Sequence, residues 1–184
     1  MFARHLPITG TAVGYAAAVH RGQSRDGSGE PFILHPLEVG QLLYRSGSPD
    51  VVVAAGVLHD TIEHGEITVE DLRRHFDRRV VGLVAAVSED PALASYTDRK
   101  ARLRAQVAAA GPDAGAVFAA DRISRLRARR AAAARRRRMA TLTIAGRRRF
   151  EHDLEGLRLV QELIPDHPLV GLFAFELGMA GEAA

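Results

Sequence analysis

The sequence predicts an all-α protein, and three observations predict it. Apolar residues recur at helical spacing along most of the 184 residues. No stretch alternates apolar and polar residues as a half-buried strand does, and there is no internal repeat. Pro36, Pro49, Pro91, Pro112 and Pro165 fall at the junctions between periodic segments, where proline starts or stops a helix.

In chain order, residues 11–20 read as a short apolar helix ending at His20. Residues 21–31 carry three glycines and Pro31, so they form a loop that can approach a ligand closely, although no phosphate-loop pattern is present. Leu37 to Tyr44 is a helix with Leu37, Val39, Leu42 and Leu43 on one face, Pro36 in its first turn and His35 at its start. Ser48-Pro49-Asp50 opens a helix whose apolar run, Val51 to Leu58, leads into His59 and Asp60. Thr68 and Asp71 form a capping box, and the helical pattern then continues to Ser88. Glu89-Asp90-Pro91 breaks it. A helix begins near Asp98, Gly111-Pro112-Asp113 resets the chain, and Ala114 to Arg130 is a helix burying Val117, Phe118, Ile123 and Leu126. Two further helices, 150–163 and 167–179, flank Pro165.

Length indicates one domain spanning residues 1–184, with the motif-bearing core at about 11–130 and C-terminal helices at about 147–180. The absence of cysteine excludes thiolate metal sites, disulfides and a cysteine nucleophile. With no signal-peptide pattern and no apolar run approaching the ~20 residues that span a bilayer, the expectation is a soluble cytoplasmic protein without a membrane partner. The net charge of +3 conceals an asymmetry, because residues 98–149 carry 16 Lys and Arg against three Asp. That segment suits a polyanion, a nucleotide or pyrophosphate before a nucleic acid, since aromatics are few and no nucleic-acid module is evident. The runs Arg135–Arg138 and Arg147–Arg149 read as solvated faces.

The chemistry centres on His59-Asp60-Thr61-Ile62-Glu63-His64. An adjacent imidazole and carboxylate on a buried helix make a metal-site candidate, and Glu63, four residues after His59, shares its helical face and can reach a metal-held water. Two ligands do not complete a divalent site, so the chain must supply others. Asp121 sits within an apolar helix face, where a carboxylate is costly unless paired or bound to metal. His35 is the further candidate. His5, His75, His152 and His167 have no convergent partners in sequence.

Four linked stretches carry a resemblance: His20-Arg-Gly-Gln23-Ser-Arg25, Gly29 to Pro36 with His35, Leu58-His59-Asp60-Thr-Ile-Glu63, and Ala120-Asp121-Arg122-Ile-Ser-Arg125-Leu-Arg127. Their order and spacing resemble the HD-domain hydrolases of the RelA/SpoT type, and among them the small single-domain enzymes that remove the 3′-pyrophosphate of (p)ppGpp. The resemblance implies an HD-domain helical bundle holding Mn²⁺, or another divalent transition metal in its place, through His35, His59, Asp60 and Asp121. It implies that Glu63 orients and deprotonates the attacking water, with His64 standing where the family has Asp, and that Arg25 lies against the base. Lys100, Arg102, Arg104, Arg122 and Arg125 are the candidates for holding phosphate oxygens. Two departures fall on the substrate side: Asp26 replaces a cation in a loop one residue longer, and Arg125 stands where the family has Asn.

The expected function is a metal-dependent phosphohydrolase acting on a nucleotide, most of all as a (p)ppGpp 3′-pyrophosphohydrolase. The alternative, motivated by His64, is a weak or inactive HD domain that binds a nucleotide as a regulatory module. Oligomeric state is not legible.

Overall fold

The structure, a computed structural model, describes residues 5–25, 29–65, 67–136 and 144–182. The described residues form helices α1 (Pro7–Val19), α2 (Leu34–Arg45), α3 (Asp50–Leu58), α4 (Thr61–His64), α5 (Val69–Arg73), α6 (Arg78–Val87), α7 (Tyr96–Ala110), α8 (Pro112–Arg136), α9 (Ile144–Leu163) and α10 (Pro168–Glu182). Among them there is no strand, only one isolated antiparallel bridge between Ser24 and Pro31. No helix among the described residues is long and apolar enough to cross a membrane.

α3 is the axis of the bundle. Seven of its nine residues, Val52 to Leu58, are buried, as an all-round apolar helix must be, and α1, α2, α6 and α8 pack around it. Gly56 sets the spacing to α2: a Cβ there would lie 2.3 Å from Leu43 Cδ1 and 3.3 Å from Val39 Cγ1. This close approach lets the start of α2, with His35, meet the end of α3, with His59. α8 is the second organiser. It buries Val117, Phe118, Ile123 and Leu126, as its periodicity predicts, and contacts α2, α3, α6, α7, α9 and α10.

Two segments differ from the sequence expectation. The helix expected to carry His59 through Glu63 stops at Leu58 and restarts at Thr61. Side chains take the local carbonyls there, His59 Nδ1 meeting Gly56 O at 2.7 Å and Thr61 Oγ1 donating to Leu58 O at 2.6 Å, in competition with the backbone ladder. The helix expected from Thr68 to Ser88 is split. The Thr68–Asp71 capping box is present, but α5 ends at Arg73, and Asp77 Oδ1 accepts from Arg79 N and Val80 N to start α6. Arg147–Arg149 are exposed, as expected, whereas Asp26, Arg137, Arg138 and the side chains of Arg135 and Arg136 lie outside the described residues.

The charge asymmetry is largely answered internally. Arg127 reaches Glu38 and Glu176, Arg129 reaches Asp153, and Arg130 reaches Glu176, so α8 is fastened by its own cations to α2, α9 and α10.

α1 is held from α3. Asp50 accepts from Ile8 N at 3.0 Å, Thr9 N at 2.9 Å and Thr9 Oγ1 at 2.6 Å, satisfying free amides at the first turn of α1. Asp50→Ala is expected to lower unfolding free energy by about 2 kcal/mol, the scale of a lost cap with charge-assisted bonds, measured by urea denaturation. An unchanged midpoint would assign the capping of α1 elsewhere.

Candidate metal centre

The ends of α2 and α3 and the middle of α8 bring four side chains to one point. His35 Nε2 lies 3.2 Å from His59 Nε2, 3.0 Å from Asp121 Oδ1 and 3.4 Å from Asp60 Oδ2. His59 Nε2 lies 3.3 Å from Asp60 Oδ1 and 3.5 Å from Asp121 Oδ1. All four residues are buried.

The outer hydrogen bonds fix the tautomers. Ser124 has one hydroxyl hydrogen, and it goes to Glu38 Oε2 at 2.7 Å; Ser124 Oγ therefore accepts from His35 Nδ1 at 2.8 Å. His59 Nδ1 faces the Gly56 carbonyl, which can only accept. Both rings thus carry hydrogen on Nδ1 and turn Nε2 inward, the nitrogen through which such an imidazole binds metal. Two such nitrogens facing each other and two carboxylates need a cation among them, a proton or a metal.

The titration behaviour expresses the same demand. Burial alone lowers His59, but the Asp60 charge and the bonds to Asp121 and Asp60 outweigh it and push the ring up to about 10. Burial prevails at His35 and lowers it. Burial also raises both carboxyls, yet His59 and Arg125 hold Asp60 far below the usual carboxylate range, and Arg122 and Arg125 do so for Asp121. A proton on His59 answers one contact; a metal cation between the imidazoles and the carboxylates answers them together. Asp60 Oδ2 is buried without a hydrogen-bond donor among the described residues, so the protein leaves this carboxylate partly unsatisfied, as suits a metal ligand. Two imidazoles and two carboxylates are an N/O set for a divalent first-row transition metal.

The centre lies beside a cavity of about 910 Å³ whose wall includes His35, His64, Arg122, Arg125, Arg25, Tyr96, Lys100 and Arg149. Glu63, an exposed residue, has its carboxylate near Asp60 and His64. Its Oε1 accepts the Glu89 amide at 2.6 Å, and removal of surrounding water raises its carboxyl above the ordinary range.

Of the expected substrate-binding residues, Arg25, Lys100, Arg122 and Arg125 line the cavity. Lys100 is held against Glu89 and over the Tyr96 ring. Arg102 is exposed and does not line the cavity, and Arg104 is turned to His152 Nδ1 at 2.7 Å and to Glu155. Sequence reasoning passed over His152, which is buried on the cavity wall. Its charge is suppressed, to about 2, by burial and by Arg122, Lys100 and Arg104. It also passed over Ser124 and Glu38. Ser124 was findable, because three residues after Asp121 is the same helical face.

The HD domain model matches residues 12–145 of the chain. The chain belongs to the HD-domain family. Three relatives are similar to this HD domain over part of their length. The mouse protein MESH1, named guanosine-3′,5′-bis(diphosphate) 3′-pyrophosphohydrolase, is 37% identical over 106 residues, 56% of this chain and 59% of that protein. A protein of the same enzyme name from Vibrio cholerae is 41% identical over 85 residues, 46% of this chain and 12% of that protein. A Streptomyces coelicolor GTP pyrophosphokinase is 47% identical over 70 residues, 38% of this chain and 8% of that protein. The chain thus spans less than two thirds of each. Among solved structures, one titled as a metazoan ortholog of SpoT that hydrolyzes ppGpp superposes with TM-score 0.77 at 23% identity, over 96% of this chain and 97% of that one. The protein lmo0812 of Listeria monocytogenes EGD-e gives TM-score 0.72 at 28% identity, over 83% of this chain and 99% of that one. These superpositions place the HD domain in an all-α fold.

Removing an inner ligand should abolish metal retention: His59→Ala and Asp60→Ala are expected to hold no stoichiometric divalent ion after dialysis, as read by elemental analysis. Ser124→Ala should keep its fold and bind metal about 10–100-fold more weakly in a chelator competition, the usual cost of losing an outer-shell partner. Wild-type affinity in Ser124→Ala would refute the Nδ1 relay.

Proposed function

We propose that this HD domain is a Mn²⁺-dependent phosphohydrolase of nucleotides, with (p)ppGpp as substrate and its 3′-pyrophosphate as the group removed. One observation carries the reading: His35, His59, Asp60 and Asp121 converge beside a cavity lined by Arg25, Lys100, Arg122 and Arg125, with the Glu63 carboxylate close to Asp60. The names of the MESH1 and Vibrio relatives support the choice of substrate and reaction. We read the described residues as one domain, because α9 and α10 pack on α8. We take the partner to be a nucleotide rather than a nucleic acid, because Arg127, Arg129 and Arg130 are paired with carboxylates of the bundle.

A divalent ion at His35, His59, Asp60 and Asp121 would lower the pKa of a water and neutralise charge on the attacked phosphoryl group. The chain's own residues do the rest. Glu63, fixed through one oxygen by the Glu89 amide and raised in proton affinity, accepts the proton of the attacking water. Arg125 and Arg122 hold the attacked phosphoryl oxygens, and Lys100 and Arg25 hold the more distant groups. Water oxygen bonds to phosphorus as the bond from phosphorus to the 3′-oxygen breaks; the proton taken up by Glu63 passes to the departing 3′-oxygen, giving the ribose hydroxyl, and the pyrophosphate formed with the water oxygen is released. His64, whose ring lies 5.2 Å from that of Phe32, lines the same cavity and can pass that proton from Glu63 to the leaving oxygen.

Metal-stripped protein supplied with Mn²⁺ should release pyrophosphate from ppGpp, and Asp60→Ala should not. Glu63→Gln should retain metal and lose about 10²–10⁴-fold in kcat, the range of general-base catalysis. Turnover of some other nucleotide alone would move the substrate assignment. Tight ppGpp binding without turnover would make the domain a nucleotide-binding regulatory module.

A further inference from the structure

Arg125 occupies a position that no other residue of the cavity shares. It lies one helical turn after Asp121 on α8, and its Nε donates to Asp121 Oδ1 at 2.7 Å while its terminal nitrogen donates to Asp60 Oδ1 at 3.1 Å. These oxygens belong to the cluster: Asp121 Oδ1 is the one nearest His35 Nε2, and Asp60 Oδ1 the one nearest His59 Nε2. The guanidinium therefore contacts the oxygens that a metal would use.

The two sides of this contact differ in freedom. The Asp60 and Asp121 side chains are 2% and 10% exposed, whereas Arg125 is 37% exposed and lines the cavity. The carboxylates are fixed, and the guanidinium is the partner that can turn toward the cavity. Arginine stays charged under all ordinary conditions.

We propose that Arg125 couples metal loading to the arrival of a phosphoryl anion, by sharing Asp60 Oδ1 and Asp121 Oδ1 with the metal until that anion draws the guanidinium into the cavity. A monovalent and a divalent cation on the same two oxygens repel each other. A phosphate in the cavity offers the guanidinium a bidentate partner of its own. Each ligand then strengthens the other, and linkage makes the effect equal in both directions. An uncharged residue at 125 would load the ion without this dependence. The proposal rests on the reading of the cavity as a phosphoryl site but not on the identity of the nucleotide.

The test measures Mn²⁺ binding to the metal-stripped full chain by the electron paramagnetic resonance of free Mn²⁺, with and without inorganic phosphate. Complexation of the ion by phosphate is measured in a protein-free blank and subtracted. For the wild type, phosphate should tighten Mn²⁺ binding about tenfold, within the usual range of such couplings. Arg125→Gln should bind Mn²⁺ about tenfold tighter than wild type without phosphate, and phosphate should then change its affinity less than about twofold. Arg125→Lys, which keeps the charge, should stay near wild type without phosphate. If Arg125→Gln binds Mn²⁺ no more tightly than wild type, or keeps the full phosphate effect, the proposal is overturned. Should that variant fail to fold by circular dichroism, the wild-type pair of titrations decides, since no gain with phosphate also overturns it. Absence of ppGpp turnover with this coupling intact would sink the substrate assignment and leave the coupling standing.

Discussion

Two imidazole nitrogens that each lie within 3.5 Å of the same two buried carboxylates are the constraint on which the rest of the structure depends. His35 Nε2, His59 Nε2 and the Asp60 and Asp121 carboxylates converge inside a core where water cannot screen them. Such a cluster is unfavourable without positive charge, and removing one member of a buried charge network leaves the others uncompensated. The scaffold surrounds it with restraints. Gly56 permits the close approach of α2 and α3, Ser124 and Glu38 orient His35, and the Gly56 carbonyl orients His59. The rigid helices tolerate the repulsion because the apolar packing of α3 and α8 holds the backbone where the side chains must meet.

Charge is organised in two layers around that centre. Arg122 and Arg125 face the carboxylates of the cluster, and Arg127, Arg129 and Arg130 run on along α8 to Glu38, Asp153 and Glu176. The basic segment therefore ties α8 to α2, α9 and α10 before it addresses any ligand. What remains for a ligand is the cavity face, to which Arg25, Lys100, Arg122, Arg125 and Arg149 contribute. Lys100 is itself held by Glu89, whose amide fixes Glu63. The turn after α6 thus touches both the Glu63 carboxylate and a cavity cation.

Much of this was legible before the fold was known. The start of α2 at Pro36, the capping box at Thr68 and the buried face of α8 follow from local rules, because caps and periodicity act over a few residues. The misread places are those where side chains compete with the backbone. The break between Leu58 and Thr61 arises from His59 and Thr61 bonding to carbonyls, and the split of α5 from α6 arises from Asp77, an ordinary N-cap hidden inside a longer helical pattern. Arg102 and Arg104 show the limit of reading phosphate ligands from a charged stretch: two residues apart on a helix, they face different surroundings, and neither reaches the cavity.

By itself the sequence determined the all-α class, the helix order and the residue types of the centre, because these follow from short-range spacing and from the cost of placing His and Asp in apolar runs. Only the tertiary structure decided that Ser124 and Glu38 set the His35 tautomer, that His152 borders the cavity, and that Arg125 touches the oxygens of Asp60 and Asp121. Each of those contacts joins residues from different helices or depends on which rotamer the packing allows. No local rule carries that information, because it arises when α2, α3, α8 and α9 are brought together in space.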